Sequence, residues 1–110
     1  MLDFPPIDAA LMQQAAGRAA ALLRLLGNET RLLVLCQLAE GEHSVGALQA
    51  RIDLSQSALS QHLAKLRNDG IVATRRESQT IHYRIADPAA LRVIQTLAEL
   101  FCPPHPGEPE

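Results

Sequence analysis

The chain has 110 residues, 47% of them hydrophobic, and a formal net charge of −2. That length supports one domain with a modest core, and with Phe4, Phe101 and Tyr83 as the aromatics the core must come from Leu, Ile, Val and Ala. No apolar run approaches the roughly 20 residues that span a bilayer and no basic-then-apolar signal pattern occurs, so a cytoplasmic protein with no membrane partner is expected.

Residues 1–7 carry two prolines and are expected to be a flexible lead-in to a domain over 8–102. Asp8 is an N-cap for an Ala- and Leu-rich helix through Leu11, Ala15, Ala19, Leu22 and Leu26, ending at Gly27. Its apolar surface is wide, and it either buries within the chain or packs on a second one. Asn28 caps a second helix, Glu29 to Glu40, with Leu32, Leu35, Cys36 and Ala39 inward and Gly41 as its stop. Glu42-His43 reads as a loop, and Ser44 caps a short third helix with Val45, Leu48 and Ile52 on one side.

The stretch Leu54 to Gly70 is a fourth helix with two faces. Leu59, Leu63 and Leu66 fall at i, i+4 and i+7 and form an apolar stripe. Ser57, Ser60, Gln61 and Lys65 project elsewhere: short, uncharged side chains followed by a cation, able to bond base edges and phosphates in a major groove. Ser55 or Ser57 caps the start, and Asn68-Asp69-Gly70 stops the end. Reached by the tight link Arg51-Ile52-Asp53-Leu54, it completes a helix-turn-helix.

After Gly70 the apolar period changes from 3.6 to 2. Ile71 to Arg76 and Thr80 to Ile85 read as strands, the second with Ile81, Tyr83 and Ile85 inward, and Glu77-Ser78-Gln79 as the hairpin tip. Asp87-Pro88 opens a last helix with Leu91, Ile94, Leu97 (or Ala98) and Phe101 on one face. Cys102-Pro103-Pro104 ends it, and 103–110 is Pro-rich and acidic, an expected disordered tail. The fold class is therefore mainly α with a β-hairpin wing: a winged helix-turn-helix, α-α-α-α-β-β-α.

The negative net charge is uneven. From Ser44 to Arg84 the cations Arg51, Lys65, Arg67, Arg75, Arg76 and Arg84 face the acids Asp53, Asp69 and Glu77, giving +3, while the remainder carries −5. One positive segment suits a localised phosphate-binding face.

Three segments carry a resemblance. Leu25-Leu26-Gly27-Asn28-Glu29-Thr30-Arg31, Ser55-Gln56-Ser57-Ala58-Leu59-Ser60-Gln61-His62-Leu63 and Gly70-Ile71-Val72-Ala73-Thr74-Arg75-Arg76 are similar to the ArsR/SmtB family of bacterial repressors, over about residues 15–102. The resemblance implies a homodimer built from the first and last helices, a pseudo-palindromic double-stranded operator, and release on binding an inducer. Two-fold symmetry would set the paired recognition helices about 34 Å apart, in successive major grooves. It also implies DNA contacts from Gln56, Ser57, Ser60, Gln61 and His62, with Gln61 the foremost base reader, while Ser55 and Lys65 extend the polar face. Arg75, Arg76 and Gln79 would be wing contacts. The alternatives are a solvated arginine pair and a packed His62.

Many members of that family sense metals, yet no Cys-x-Cys and no paired Asp/His and His/Glu positions in the last helix are present. Cys36, Cys102 and His105 could make only an incomplete soft-metal set; neither a metal nor a cofactor is expected. The cysteines lie 66 positions apart, Cys36 in the second helix and Cys102 closing the last, so only the fold can bring them together. Each could be unremarkable: Cys36 a small buried hydrophobe, Cys102 a helix-end residue. Further segments, Leu35-Cys36-Gln37-Leu38, Glu42 to Leu48, Arg76 to Tyr83 and Leu100-Phe101-Cys102, are similar to the BigR/SqrR/HlyU branch. That resemblance implies a redox-sensing pair, Cys36 and Cys102, bridged by a disulfide or polysulfide on meeting persulfide or another thiol oxidant. A winged helix that binds protein instead of DNA is the rival outside this class. No enzyme is expected, since no Cys-x-x-Cys, phosphate-cradling glycine loop or nucleophile-histidine-carboxylate set occurs.

Overall fold

Each helix begins at a side-chain oxygen that takes up an otherwise orphaned backbone N–H, a contact worth about 1 kcal/mol. The computed structural model describes residues 6–102. Asp8 opens α1 (Ala9–Leu26), accepting from Ala10 and Leu11 at 2.9 and 3.2 Å. Asn28 opens α2 (Glu29–Leu38), and Ser44 opens α3 (Val45–Arg51). Ser55, not Ser57, opens α4 (Gln56–Asn68), its Oγ accepting from Ala58 at 3.1 Å. Asp87 opens α5 (Pro88–Phe101). Of the expected lead-in only Pro6 and Ile7 are described, and the tail from 103, with His105, lies outside the described residues.

The end of α4 is fixed by a Schellman turn. Gly70 takes φ +77°, its N–H reaches the Arg67 carbonyl at 3.1 Å, and the Ile71 N–H reaches the Leu66 carbonyl at 2.9 Å. Ile71 does a second job: its own carbonyl accepts from Ala86 at 2.8 Å and from Asp87 at 3.3 Å, where α5 begins.

The hairpin pairs β2 (Val72–Glu77) with β3 (Thr80–Ile85), from Val72↔Ile85 to Glu77↔Thr80. Glu77 is thus in the strand, and the turn is Ser78-Gln79, with Ser78 at φ 56°. His43, expected in a loop, instead forms with the capping Ser44 a two-residue strand, β1 (His43–Ser44), whose residues pair with Tyr83 and His82, so the sheet has three antiparallel strands in the order β1-β3-β2. Ile81 lies on the face shared by Tyr83 and Ile85 but is 40% exposed, because the hairpin overhangs the core at that point.

The core joins Leu26, Val34, Leu35, Leu38, Leu48, Ile52, Leu59, Leu63, Leu66, Ile71, Val72, Ala90 and Ile94. The second helix ends at Leu38, two residues earlier than the Glu40 expected. Leu26 is the one buried residue of α1; Leu11, Met12 and Leu23 stand exposed, as do Leu33 of α2 and Leu100 and Phe101 of α5. Phe101, at the far end of the expected apolar face of α5, is 78% exposed. The Cα radius of gyration is 16.0 Å, against about 13 Å for a compact chain of this size, and α1 leaves its apolar side uncovered. Among the described residues, no helix is long and apolar enough to cross a membrane.

Candidate nucleic-acid interface and thiol cleft

Leu59, Leu63 and Leu66 are fully buried and fix the rotation of α4 about its axis. Gln56, Ser57, Ser60 and Gln61 consequently face solvent, Lys65 lies exposed on one flank, and His62 is half-buried beside the apolar stripe. Capping engages one lone pair of Ser55, and its hydroxyl proton remains a donor. The recognition surface is therefore held rigid by a buried stripe one half-turn behind it.

Lys65 is directed to Asp69, one turn on, at 3.1 Å. Beside this pair the fold brings Arg24 from α1 and Arg31 from α2, residues the linear charge count left in the acidic remainder. No local sequence signal marks that meeting; it exists only once the α1–α2 corner packs against α4.

On the wing, Arg75 is bound twice. Its Nε donates to Glu42 at 2.8 Å and its Nη1 to Glu77 at 3.0 Å. These bonds raise the affinity of the guanidinium for its proton and hold the Glu77 carboxyl below the usual carboxylate range, with Arg75 the main cause and His82 a further one. Arg76 and Gln79 are exposed, and Arg76 makes no ion pair among the described residues. Glu42 is the partner that the sequence did not reveal, since it is 33 positions away.

The two cysteines meet across the packing of α2 against α5. Both line a cleft of about 550 Å³ with Gln37 and Glu40 on one side and Gln95 and Glu99 on the other. Both also line a smaller, wholly apolar hollow of about 250 Å³ walled by Leu32, Leu97 and Phe101. Both are unbonded thiols; Cys36 is half-buried and Cys102 exposed. Burial pushes the Cys36 thiol up, and Cys102 and Glu40 nearby push it further. The Cys102 N–H closes the helix on the Ala98 carbonyl at 2.9 Å. Gln37 and Glu40 also receive Arg51 of α3, at 3.1 and 3.4 Å, so the cleft wall is tied to the first helix of the helix-turn-helix. Among the described residues, no group of three or more His, Cys, Asp or Glu could hold a metal ion.

Comparison with known proteins agrees with this geometry. The family described as "Bacterial regulatory protein, arsR family" matches residues 28–74. The chain is 46% identical over 104 residues to the biofilm growth-associated repressor of Agrobacterium fabrum, covering 94% of this chain and 89% of that protein. It is 45% identical over 97 residues to the transcriptional activator HlyU of Vibrio cholerae, covering 88% and 90%. The crystal structure of the transcriptional repressor BigR from Xylella fastidiosa superposes with a TM-score of 0.81 at 39% identity, covering 89% of this chain and all of that one. With its capped recognition helix, hairpin wing and these relatives, the chain belongs to the arsR family of bacterial regulatory proteins and is a DNA-binding winged helix-turn-helix transcriptional regulator.

Proposed function

We propose that the protein is a homodimeric repressor whose dithiol form holds a pseudo-palindromic operator and whose bridged form lets it go. The observation that carries the sensing half is the shared cleft: Cys36 and Cys102, 66 positions apart in sequence, line the same two cavities. The dimer rests on the uncovered apolar side chains of α1 and α5, where Leu11, Met12, Leu23, Leu100 and Phe101 would otherwise meet water. The sign of regulation follows the Agrobacterium fabrum relative, named a repressor, over the HlyU relative, named an activator. Gln56, Ser57, Ser60 and Gln61 read base edges, with Ser55 and His62 at the margins, while Lys65, Arg75, Arg76 and Gln79 hold phosphates.

The chemistry divides by exposure. Cys102, open to solvent, attacks the outer sulfur of a persulfide RSSH, forming Cys102–S–SH and releasing RSH. The Cys36 thiolate then attacks the Cys102 sulfur, the S–S bond of that persulfide breaks, and HS⁻ leaves; both thiol protons end on the released sulfur species. The persulfide is reduced and the cysteine pair oxidised by two electrons. A second RSSH can insert its outer sulfur into the bridge: the bridge S–S bond and the RS–SH bond break, two S–S bonds form, and RSH leaves with the proton, giving a trisulfide.

Operator release tests this. Titration of labelled operator with wild type before and after a low-molecular-weight persulfide should show affinity falling 5- to 150-fold, the range of a 1–3 kcal/mol coupling. Cys36→Ser and Cys102→Ser should bind as tightly as the untreated protein and ignore the persulfide. Release by either variant at the wild-type level would defeat the two-cysteine switch and leave the DNA-binding assignment standing.

A further inference from the structure

We propose that the corner where α1, α2 and α4 meet is an oxyanion site, and that it seats a backbone phosphate of the bound duplex beside the groove that α4 enters. This rests on the DNA-binding reading above and adds to it two residues, Arg24 and Arg31, that neither the polar face of α4 nor the wing includes. The cleft holds about 360 Å³ and is lined by Arg24, Arg31, Lys65 and Asp69, with Ala21 and Leu25 as its apolar floor. Three cations therefore surround one carboxylate. Asp69 is already committed to Lys65 at 3.1 Å, so the excess positive charge belongs to the two arginines.

Arg31 supplies the second observation. Its Nη1 donates to the Leu25 carbonyl at 3.3 Å, which fixes the guanidinium plane, yet its Nε is buried with no hydrogen-bond partner. A guanidinium that lines the cleft with donor capacity unspent favours an anion there, because a phosphate oxygen drawn against it gains a charge-assisted bond. Arg24, in the last turn of α1, is exposed and stands at the rim.

The position suits a duplex better than a stray anion. Ser57, Gln61 and Lys65 follow one another at i, i+4 and i+8 along one ridge of α4, so the cleft continues the row that carries the base reader. Lys65 lies about 6 Å further along the axis than Gln61, from a rise of 1.5 Å per residue. DNA laid on that ridge meets the cleft with its backbone, not its bases.

The test uses the full chain. Operator and unrelated duplex are titrated across a range of salt with wild type and Arg24→Ala, an exposed helix position whose loss spares the core. The slope of log affinity against log salt should shrink by about one unit in the variant, by the same amount on both duplexes. Asp69→Asn, which removes the one competing carboxylate, should bind both duplexes more tightly than wild type. In a second arm the DNA-free proteins are melted in inorganic phosphate and in chloride at equal ionic strength. Equal salt slopes for wild type and Arg24→Ala overturn the proposal. If the slopes are equal and phosphate still stabilises wild type but not Arg24→Ala, the occupant is free phosphate instead. A wild type that held no duplex at all would overturn both this site and the DNA-binding reading, whereas a steep wild-type slope untouched by Arg24→Ala sinks this site alone.

Discussion

Bridging Cys36 to Cys102 closes a loop of 67 residues, and the cost of that closure can be set against what the fold has to spend on moving α5. In the chain-entropy account a loop this long withdraws about 4 kcal/mol of freedom from the unfolded chain. A domain of about 100 residues gains roughly 4–8 °C in melting midpoint per kcal/mol, so an unstrained bridge should raise the midpoint by about 16 °C or more. A bridge that displaces α5 against the core stores part of that energy as native-state strain, and a coupling of about 1–3 kcal/mol is what operator release requires. The expected stabilisation is therefore about 1–3 kcal/mol, a midpoint rise of about 4–24 °C, against about 16–32 °C for a bridge without strain. Far-UV circular dichroism melts of reduced and persulfide-treated wild type, at one protomer concentration, measure it; Cys102→Ser is the control, and mass spectrometry counts the bridging sulfurs. An intrachain bridge that left the midpoint unchanged, or a bridge found only between chains, would refute the reasoning.

Four further outcomes are expected. Glu42→Gln should tighten duplex binding, because Arg75 is then released from its 2.8 Å partner, and Arg75→Ala should flatten the salt dependence by about one unit. Leu63→Ala, at a fully buried position behind the recognition face, should cost about 2–5 kcal/mol in urea unfolding. Alkylation by iodoacetamide, followed by mass spectrometry across a pH series, should modify Cys102 before Cys36. The Cys36 thiol is held above its ordinary value by burial first and by Cys102 and Glu40 next, so its rate should keep climbing at pH values where an ordinary thiol has levelled off.

The helices were legible because their signals are local. Asp8, Asn28, Ser44 and Asp87 cap where side-chain chemistry within three residues says they should, and Gly70 stops α4 by a conformation that its neighbours avoid. What escaped depends on partners distant along the chain. His43–Ser44 has no strand signature of its own and is a strand only because Tyr83 and His82 lie opposite. Ile81 alternates correctly with Tyr83 and Ile85, but period alone says nothing about where the core ends under a hairpin. Phe101 continues the apolar face of α5 past the core, and a single chain leaves it uncovered. The two cysteines were legible as a pair through resemblance, whereas the cleft around them, with Glu40, Glu99 and Arg51's hold on Gln37, needed coordinates.

The carbonyl and amide of Ile71 fasten three things at one point: the close of α4, the start of the wing and the first turn of α5. Fourteen residues of α5 extend about 21 Å from that rivet to the far tip where Cys102 sits. The helix is thus a crowbar with its fulcrum under the DNA-reading element, and hauling the free tip sideways by about 2 Å tilts it by about 5°. Under the proposed switch, a bridge formed at the tip would act on the other end as torque.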